Sequence, residues 1–259
     1  MPGRELRVAV KAAKAAGKII LQGLGKRHKT ASKAFYADIV TETDKKAEKA
    51  VISIIRKAFP NHSILAEESG LNETGSEFSW VIDPIDGTNN FFHSYPFFCT
   101  SIAFCKNNEP LAGAIFDPVK KEMFYAEKGK GAFLNGKRIH VSRISEIKRM
   151  LCVTGFHFKG KNSFHLALKN FEKIYLSTAG VRRDGSAALD LAYVASGRMD
   201  FFWEFNLKPW DIAAGKLLVE EAGGIVSNNS GKNYNFWDKL IVASNGKKHS
   251  RLLKMLKVK

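Results

Sequence analysis

An apolar run that ends in two acids constrains this chain more than any other feature of its sequence. Residues 80–88 read WVIDPIDGT, so a segment suited to a buried strand finishes with Asp83, Asp86, Gly87 and Thr88. Asp, Pro and Gly are ordinary turn residues, and an acidic turn after a strand is the simplest alternative. Ionised carboxylates are nevertheless costly to bury without a partner. We therefore expect a cation beside them, and a hard divalent metal such as Mg²⁺ suits their oxygen atoms.

The size and composition of the chain are those of a globular protein. Its 259 residues are 45% hydrophobic, enough for one large domain or two closely packed halves. No apolar run reaches membrane-spanning length, and the first residues lack the profile of a signal peptide. The cysteines Cys99, Cys105 and Cys152 are odd in number and lack CxxC spacing, which argues against a disulfide framework or a zinc site. A cytoplasmic location is expected.

The net charge of +16 has two interpretations. It is typical of a nucleic-acid-binding surface, and equally of a lysine-rich enzyme that attracts anionic substrates. The basic residues are dispersed, with mild concentrations over residues 11–29 and 247–259, and no zinc finger, RNA-binding aromatic signature or arginine-rich block accompanies them. A solvated basic surface is the favoured interpretation, and contact with RNA or the transcription machinery stays open.

Residues 1–143 are predicted to place helices on a largely antiparallel sheet. Apolar residues at helical spacing indicate one helix from Leu6 to Leu24 and a second that follows Asp44 and ends at Pro60. The Asn-Gly pair at 135–136 is a strong hairpin turn between two further strands. The expected strands cover residues 63–66, 79–83, 100–105, 111–116, 122–126, 131–134 and 137–141.

Residues 144–259 show a different pattern, in which strands and helices alternate. The expected strands cover residues 151–154, 199–205, 224–226 and 240–243. The expected helices cover residues 163–173, 186–195, 212–222 and 247–256. Such alternation is typical of an α/β unit. No linker marks the boundary near residue 143, so we expect the two halves to share an extensive interface.

Further acids fall where other predicted elements begin or end. Glu67 follows a short strand, Asp44 lies at the start of the second helix, and Asp211 opens an apolar helix. Taken singly, Asp44 and Asp211 are explained as helix N-caps and Glu67 as loop charge. Taken together with the two acids of WVIDPIDGT, they supply the carboxylates from separate segments that a two-ion magnesium site needs.

The residues after the second acid suit a phosphate ester. Gly87 lets the backbone approach a phosphate closely, and amides that open a helix there point at an anion. Thr88 offers a hydroxyl that can orient a water molecule, with a carboxylate as the proton acceptor. Two metal ions about 4 Å apart clamp the attacking and leaving oxygens of a phosphoryl transfer. Hydrolysis of a phosphate ester is therefore the reaction class that these residues favour.

Two long segments, WVIDPIDGTNNF at 80–91 and PWDIAAGKLLVEEAGG at 209–224, resemble the paired signatures of the inositol monophosphatase family. The segments AEES at 66–69, VTETD at 40–44 and RRDGSAALDLAYVASGRMDFFWE at 182–204 are similar to the bacterial extragenic-suppressor branch of that family. The resemblance spans nearly the whole chain. It implies a layered αβαβα sandwich with the site between the two halves, usually in a homodimer.

The resemblance also implies a role for each candidate residue. Two or three Mg²⁺ ions per site are expected on Glu67, Asp83, the backbone carbonyl of Ile85, Asp86 and Asp211. Thr88, paired with Asp44, is expected to handle the nucleophilic water together with Glu67. The expected substrate contacts are Asp86, Gly87, Thr88, Arg182, Gly185, Ser186, Glu204 and Asp211. Lys33 lies where the family has a lysine near a third metal, and surface charge is the alternative for Lys33 and Arg182.

The implied activity is that of a Mg²⁺-dependent, lithium-sensitive phosphatase acting on inositol 1-phosphate or a similar small polyol phosphate. It uses metal-activated water and forms no phosphoenzyme. Members of the superfamily also act on fructose 1,6-bisphosphate, histidinol phosphate, NADP or nucleotide 3′-phosphates, so the physiological ester stays open. Asp184 stands where many relatives have a neutral residue, which bears on the alcohol side of the substrate.

Two other classes of function compete with this one. Aspartyl-phosphate phosphatases also use acids after a buried strand, but they need DxDx[TV] spacing, whereas the acids here are spaced as DPID. A regulatory binder of RNA or of the transcription machinery would explain the net charge and matches dual roles in the bacterial branch. A pure binding module has no need of convergent carboxylates, so the phosphatase is favoured, and the two activities are compatible.

Overall fold

The first helical layer lies on one face of a large sheet. The computed structural model describes residues 2–26, 30–32, 39–156 and 161–256. In this layer α1 (Arg4–Gly23) packs against α2 (Glu42–Ala58), and the chain between them contains the short paired strands β1 (Thr30–Ser32) and β2 (Ile39–Thr41). Each helix buries one apolar side, as its sequence periodicity predicts. Among the described residues, no helix has both the length and the apolar character needed to cross a membrane.

The large sheet provides the scaffold for the first half of the chain. Its strands are β3 Ser63–Ala66, β4 Gly70–Asn72, β5 Phe78–Asp86, β6 Cys99–Lys106, β7 Glu109–Asp117, β8 Glu122–Glu127, β9 Gly131–Leu134 and β10 Lys137–Ile139. In the part of the chain that the structure describes, their order is β10-β9-β8-β7-β6-β5-β3-β4, and only β3 and β5 pair in parallel. The β9–β10 hairpin turns at Asn135 and Gly136 with φ of 48° and 86°, the positive values that a type I′ turn requires.

A middle helical layer separates the large sheet from a smaller one. It consists of α5 (Ala187–Ala195) and α6 (Pro209–Glu221), which pack against each other and against strands of both sheets. The smaller sheet contains β11 Leu151–Thr154, β12 Gly180–Arg182, β13 Phe201–Phe205, β14 Ile225–Ser227 and β15 Leu240–Ser244. Its order is β12-β11-β13-β15-β14, parallel at the β12 end and antiparallel at the β14 end.

An outer helical layer completes the αβαβα sandwich that the resemblance implies. It contains α4 (Lys161–Tyr175), which packs on β12, and α7 (His249–Met255), which packs on β15. A one-turn 3₁₀ helix at Ile147–Arg149 precedes β11, and the short helix α3 (Thr88–Phe92) follows β5. One buried apolar cluster contains residues of the large sheet, the middle helices and the smaller sheet. The expected interface between the halves is therefore a continuous core, and the boundary near residue 143 stays a prediction.

Candidate active site

Strand β5 carries two candidate ligands, Asp83 and Asp86, that lie three residues apart. From sequence, the strand is expected to cover residues 79–83 with Asp86 beyond its end, and this end is wrong, because β5 continues through Pro84 to Asp86. Side chains three apart on a regular strand point to opposite faces of the sheet. The pairing of β5 with β6 shifts register between Asp83 and Asp86. A bulge of this kind re-aims side chains, which accounts for both carboxylates reaching one cluster.

Asp211 completes this cluster of three carboxylates. One oxygen atom from each of Asp83, Asp86 and Asp211 lies within 4.8 Å of the others. Asp83 and Asp86 are buried, and Asp211 is partly exposed. Because Asp211 belongs to α6, the carboxylate cluster joins the first half of the chain to the second.

The carboxylate cluster fits a divalent cation. Burial raises the pKa of Asp83 well above its ordinary value, and three neighbouring charges raise it further: those of Glu67, Asp86 and Asp211. Burial also raises the pKa of Asp211, and the charge of Asp86 adds to the effect. Asp83 Oδ1 is buried without a hydrogen-bond partner among the described residues. Buried polar atoms normally have a partner, and a hard cation would both coordinate this oxygen and offset the repulsion.

Glu67 touches the cluster from the end of β3. Its side chain shares a hydrogen bond with the carboxyl group of Asp83. Its backbone N–H donates to the carbonyl of Ile82 at 3.1 Å, which fixes the segment after β3 beside β5. Glu67 does not belong to the group of oxygens that lie within 4.8 Å of one another. It therefore borders the three-carboxylate cluster on the Asp83 side.

Besides belonging to the carboxylate cluster, Asp86 accepts hydrogen bonds from the N-terminus of α5. Its Oδ2 accepts hydrogen bonds from Ser186 Oγ at 2.6 Å and from the backbone N–H of Ala188 at 2.7 Å. Ser186 is the N-cap residue of α5, so a carboxylate of the first half satisfies amides that the start of a helix leaves open. Burial raises the pKa of Asp86 to about 6, against the lowering effect of these hydrogen bonds.

Asp44 and Asp211 are not N-cap residues, which corrects the alternative explanation offered from the sequence. Each is the third residue of its helix and accepts a hydrogen bond from the backbone N–H of the N-cap residue. The donor is Thr41 for Asp44, at 2.8 Å, and Lys208 for Asp211, at 2.7 Å. This is the acidic half of a capping box. It anchors one oxygen of each carboxylate and leaves the other for a second partner.

The second partner of Asp44 is the hydroxyl of Thr88. Thr88 Oγ1 lies 3.0 Å from Asp44 Oδ1 and 2.9 Å from the carbonyl oxygen of Ile85. A hydroxyl has one proton and two lone pairs. Thr88 therefore donates to one of these acceptors and keeps acceptor capacity for a further group. Burial raises the pKa of Asp44, whereas its hydrogen bonds with Thr41 and Thr88 lower it.

Gly87 allows the loops of the two halves to meet. Its φ of +93° lies in the left-handed region that favours glycine. A Cβ added at Gly87 would lie 3.0 Å from the carbonyl oxygen of Phe97 and 3.2 Å from that of Gly185. Both the backbone angle and the close approach therefore require glycine between Asp86 and the start of α3.

Glu204, Gly185 and Ser186 come from the second half and lie near this meeting point. Burial raises the pKa of Glu204 to about 8, the Arg183 guanidinium lowers it, and the charge of Asp86 raises it. The Glu204 carboxylate leaves no room for a Cβ at Gly155, so this glycine admits the acid. The structure thus places Gly185 and Ser186 against the Asp86–Gly87 segment. Glu204 lies close enough for the charge of Asp86 to raise its pKa.

The two arginines before Asp184 are both exposed, and the charge of each lowers the pKa of Asp184, which burial raises. Arg183, which sequence reasoning did not single out, acts on the buried carboxyl of Glu204. Because the two arginines are adjacent, the sequence does not indicate which of them acts on Glu204. Lys33, the other basic candidate, lies outside the described residues.

Asn90 is a second residue that sequence reasoning missed. Its side-chain N–H groups donate to the carbonyls of Phe97 and Asp184, both at 2.7 Å. Asn90 thereby links α3 to the loop that carries Gly185. Its place in the GTNN segment at 87–90 is the only hint that the sequence offers, since the partners lie 7 and 94 residues away.

Comparison with known proteins agrees with this geometry. The model of the inositol monophosphatase family matches residues 4–258. The chain belongs to the inositol monophosphatase family. It is 44% identical to the Nus factor SuhB of Pseudomonas aeruginosa, over 96% of this chain and 94% of that protein. It is 42% identical to the inositol-1-monophosphatase of Synechocystis, over 97% of this chain and 88% of that protein.

A solved structure extends the agreement to the fold. The extragenic suppressor protein SuhB of Bartonella henselae is 39% identical and superposes with a TM-score of 0.93, over 97% of both chains. Members of the inositol monophosphatase family generally depend on divalent metals, and this chain presents the acidic cluster that such metals need. Its relatives therefore include both a protein named as an inositol-1-monophosphatase and a protein named as a Nus factor.

Proposed function

We propose that this protein is a Mg²⁺-dependent phosphomonoesterase that hydrolyses inositol 1-phosphate or a similar small polyol phosphate. One observation carries the proposal: three carboxylates from both halves converge within 4.8 Å, next to a threonine hydroxyl held by a buried aspartate. The name of the Synechocystis relative supports the substrate class.

The carboxylate cluster and its neighbours would hold two or three divalent ions. The proposed ligands are Glu67, Asp83, the backbone carbonyl of Ile85, Asp86 and Asp211. Bound ions would lower the pKa of water and offset the charge that develops on the phosphoryl and leaving oxygens. The low-dielectric surroundings of Asp83 and Asp86 strengthen such interactions, because few waters screen them.

Thr88 would orient the attacking water. In this scheme the hydroxyl would donate its proton to Asp44, 3.0 Å away, and an Oγ1 lone pair would accept a proton of the water. Glu67 is the proposed acceptor of the proton that the water loses. The new oxygen–phosphorus bond forms as the bond from phosphorus to the alcohol oxygen breaks, and the proton acquired by the alcohol comes from solvent. No residue of the chain is phosphorylated in this scheme.

The remaining candidate residues would bind the substrate. The backbone amides of Gly87 and Thr88, at the start of α3, would hold the phosphate beside the metal ligands. Gly185, Ser186 and Glu204 would line the alcohol side, with Asp86 and Asp211 bordering it. Arg182 is the proposed cation at the entrance, where its exposure suits a polar substrate.

A phosphate-release panel tests this function. The substrates are inositol 1-phosphate, fructose 1,6-bisphosphate, histidinol phosphate, NADP and a nucleotide 3′-phosphate, each assayed with Mg²⁺ and with added Li⁺. We expect the highest kcat/KM for inositol 1-phosphate, with inhibition by Li⁺. Asp83→Asn should reduce Mg²⁺-dependent release by more than about 10³-fold, because it removes a ligand charge at the buried centre. Asp238→Asn, which makes the same chemical change in the β14–β15 loop, should leave the rate unchanged.

Full activity of the Asp83→Asn variant would contradict the proposed function. A phosphoenzyme trapped during turnover would instead revive the aspartyl-phosphate class. Preference for another ester of the panel would keep the chemistry and change the substrate.

A second function, association with a transcription complex, is favoured by the Nus factor name of the Pseudomonas aeruginosa relative. We propose it as compatible with catalysis. Salt-dependent binding to RNA or to transcription factors should survive Asp83→Asn, and binding lost together with catalysis would argue against separate roles.

We also propose a cytoplasmic homodimer from the family resemblance, and light scattering of the purified chain tests the dimer.

A further inference from the structure

A groove along one flank of α1 has no part in the site described above. Its volume is about 1140 Å³, and none of the candidate active-site residues lines it. Apolar side chains of α1, β7, β8 and the β7–β8 turn form its floor: Leu6, Val10, Phe116, Pro118, Met123 and Tyr125. On the opposite face of the sheet α6 packs against β8 and β9. The groove therefore lies where the first helical layer leaves part of the large sheet uncovered.

The charged residues that line this groove are all basic. Four of its cations, Arg7, Lys11, Lys14 and Lys18, follow one another on α1 at spacings of four, three and four residues, and Lys121 lies across from them. This spacing places the four on one side of the helix over about 16 Å. All five are exposed, and no acidic residue lines the groove.

These five cations form no ion pair with a carboxylate of the described residues. Like charges at i, i+4 on a helix repel one another. The row Arg7, Lys11, Lys14 and Lys18 (the basic stripe of α1) therefore destabilises α1 slightly. Arg7 donates a hydrogen bond to the carbonyl of Pro2, and no carboxylate of the described residues offsets the charge of the stripe. Charges in such an arrangement are complementary to an external anion.

The floor decides which anionic partner fits. Single-stranded nucleic acid needs aromatic faces on which its bases stack. The Phe116 ring lies beneath Gly17, where an added Cβ would meet it at 2.5 Å, and Tyr125 already stacks on Phe133 with a centroid separation of 5.5 Å. A nucleic-acid backbone would satisfy the basic residues and leave the exposed parts of Val10, Phe116 and Tyr125 in water. A partner with one apolar and one acidic side satisfies both.

We propose that the α1 groove binds an acidic amphipathic helix of a partner protein. Apolar side chains of that helix would cover Val10, Phe116 and Tyr125, which are partly exposed, and its flanking carboxylates would meet the basic stripe of α1. About three turns of partner helix span the stripe. The proposal is independent of the phosphatase activity, because the groove and the carboxylate cluster share no residue.

A set of labelled peptides tests this proposal. The probe is a peptide of about 14 residues with leucines on one helical side and glutamates flanking them. A second peptide has the same composition in scrambled order, and a third has lysine in place of glutamate. Poly-uridine RNA and phosphatidylserine vesicles serve as other anions. With the full chain, we expect the amphipathic peptide to bind at least about tenfold more tightly than the scrambled one and to slow amide exchange in α1.

Two variants connect binding to the groove. The triple variant Lys11→Glu, Lys14→Glu and Lys18→Glu should weaken peptide binding by about tenfold or more. Its matched control, Lys232→Glu, Lys239→Glu and Lys247→Glu, makes the same change of charge on exposed lysines of the second half and should bind normally. Ala15→Trp fills the groove without changing charge and should also weaken binding. Phosphatase activity should be unchanged in all three.

Four results would overturn the proposal. Equal binding of the scrambled peptide would reduce the effect to general attraction by a basic protein. RNA or vesicles that bind more tightly than the peptide, and that lose affinity in the triple variant, would reassign the surface to those ligands. Self-association lost in the triple variant would make a second copy of the chain the occupant. Unchanged peptide binding in both the triple variant and Ala15→Trp would place the peptide elsewhere.

Discussion

At the scale of single residues, the position of the Thr88 hydroxyl defines what chemistry is available. Its oxygen has two acceptors within 3.0 Å, Asp44 and the Ile85 carbonyl, and it lies one residue beyond the glycine that joins the loops. Asp44 is itself anchored by Thr41. The hydroxyl is thus held by a buried acid on one helix and by the backbone that is proposed to coordinate metal.

Thr88→Val removes this hydroxyl and keeps the shape of the side chain. We expect kcat to fall by about 10²–10⁴-fold, because the proposed water loses its orienting group, while Mn²⁺ affinity stays close to that of the unmodified chain. Thr88→Ser retains the hydroxyl and should keep most of the activity. Steady-state phosphate release and calorimetric titration of Mn²⁺ provide the two measurements. A Val variant as active as the Ser variant would remove Thr88 from the mechanism.

At the scale of elements, helix N-termini position the acids. Asp44 and Asp211 occupy the third residue of α2 and α6, and Asp86 reaches across to the start of α5. The N-terminal dipole of each helix favours a negative charge there. Three helices therefore stabilise carboxylates that burial and mutual repulsion destabilise.

The contact between Ser186 and Asp86 tests this element-scale arrangement. Ser186→Ala removes the 2.6 Å hydrogen bond, and we expect the free energy of unfolding to fall by about 1.5–3 kcal/mol, the usual contribution of a hydrogen bond to a charged group. Ser196→Ala alters the other end of α5, where the hydroxyl makes a 3.3 Å contact to a carbonyl, and should cost less than about 0.5 kcal/mol. Urea denaturation compares the two. Equal losses would show that Asp86 does not hold α5.

His249 at the start of α7 predicts a pH dependence of stability. Its ring nitrogens contact Ser227 at 2.9 Å and Ser244 at 2.8 Å, and burial lowers its pKa. The unfolded chain takes up the proton first, near pH 6.5, so stability present above that pH is lost as pH falls towards the lower pKa of the folded state. The slope from this residue is at most about 1.4 kcal/mol per pH unit. His249→Gln should be less stable at neutral pH and should lack this slope in urea titrations between pH 5 and 7. The same slope in the variant would assign the effect to other groups.

Much of the layered fold could be predicted from patterning, because burial of an apolar face imposes its period on helices such as α1 and strands such as β3. The end of β5 could not, since proline normally ends a central strand and the register shift at Asp83–Asp86 depends on pairing with β6. The bond from Ser186 to Asp86 joins residues 100 positions apart and has no local signal. Candidate ligands were recognisable by residue type, whereas their capping geometry and the surroundings of Arg183 required the structure.

At the scale of the whole molecule, the carboxylate cluster connects the two halves. Asp83 and Asp86 belong to the large sheet, Asp211 belongs to the middle layer, and one apolar cluster contains residues of both layers. Ions bound there would oppose separation of the halves as well as serve catalysis. The same cluster without ions concentrates negative charge at the interface.

Divalent ions should therefore stabilise the chain by linkage. At a Mg²⁺ concentration of about 100 times Kd, the free energy of unfolding is expected to rise by about 2.7 kcal/mol. For a chain of this size, this increase raises Tm by roughly 5–10 °C. The gain should be small in Asp83→Asn and normal in Asp238→Asn. Calorimetry with EDTA and with excess Mg²⁺ measures it. A Tm that is independent of Mg²⁺ in the unmodified chain would contradict metal binding at the interface of the halves.

Anomalous scattering from crystals grown with Mn²⁺ tests the central claim most directly, because it locates the ions themselves. We expect anomalous peaks between Asp83, Asp86 and Asp211, at least one of them coordinated by the Asp83 oxygen that has no protein partner in the described residues. The peak beside Asp83 should disappear in crystals of Asp83→Asn. Crystals that are saturated with Mn²⁺ and show no peak at these carboxylates would contradict the assignment of a metal-dependent phosphatase site.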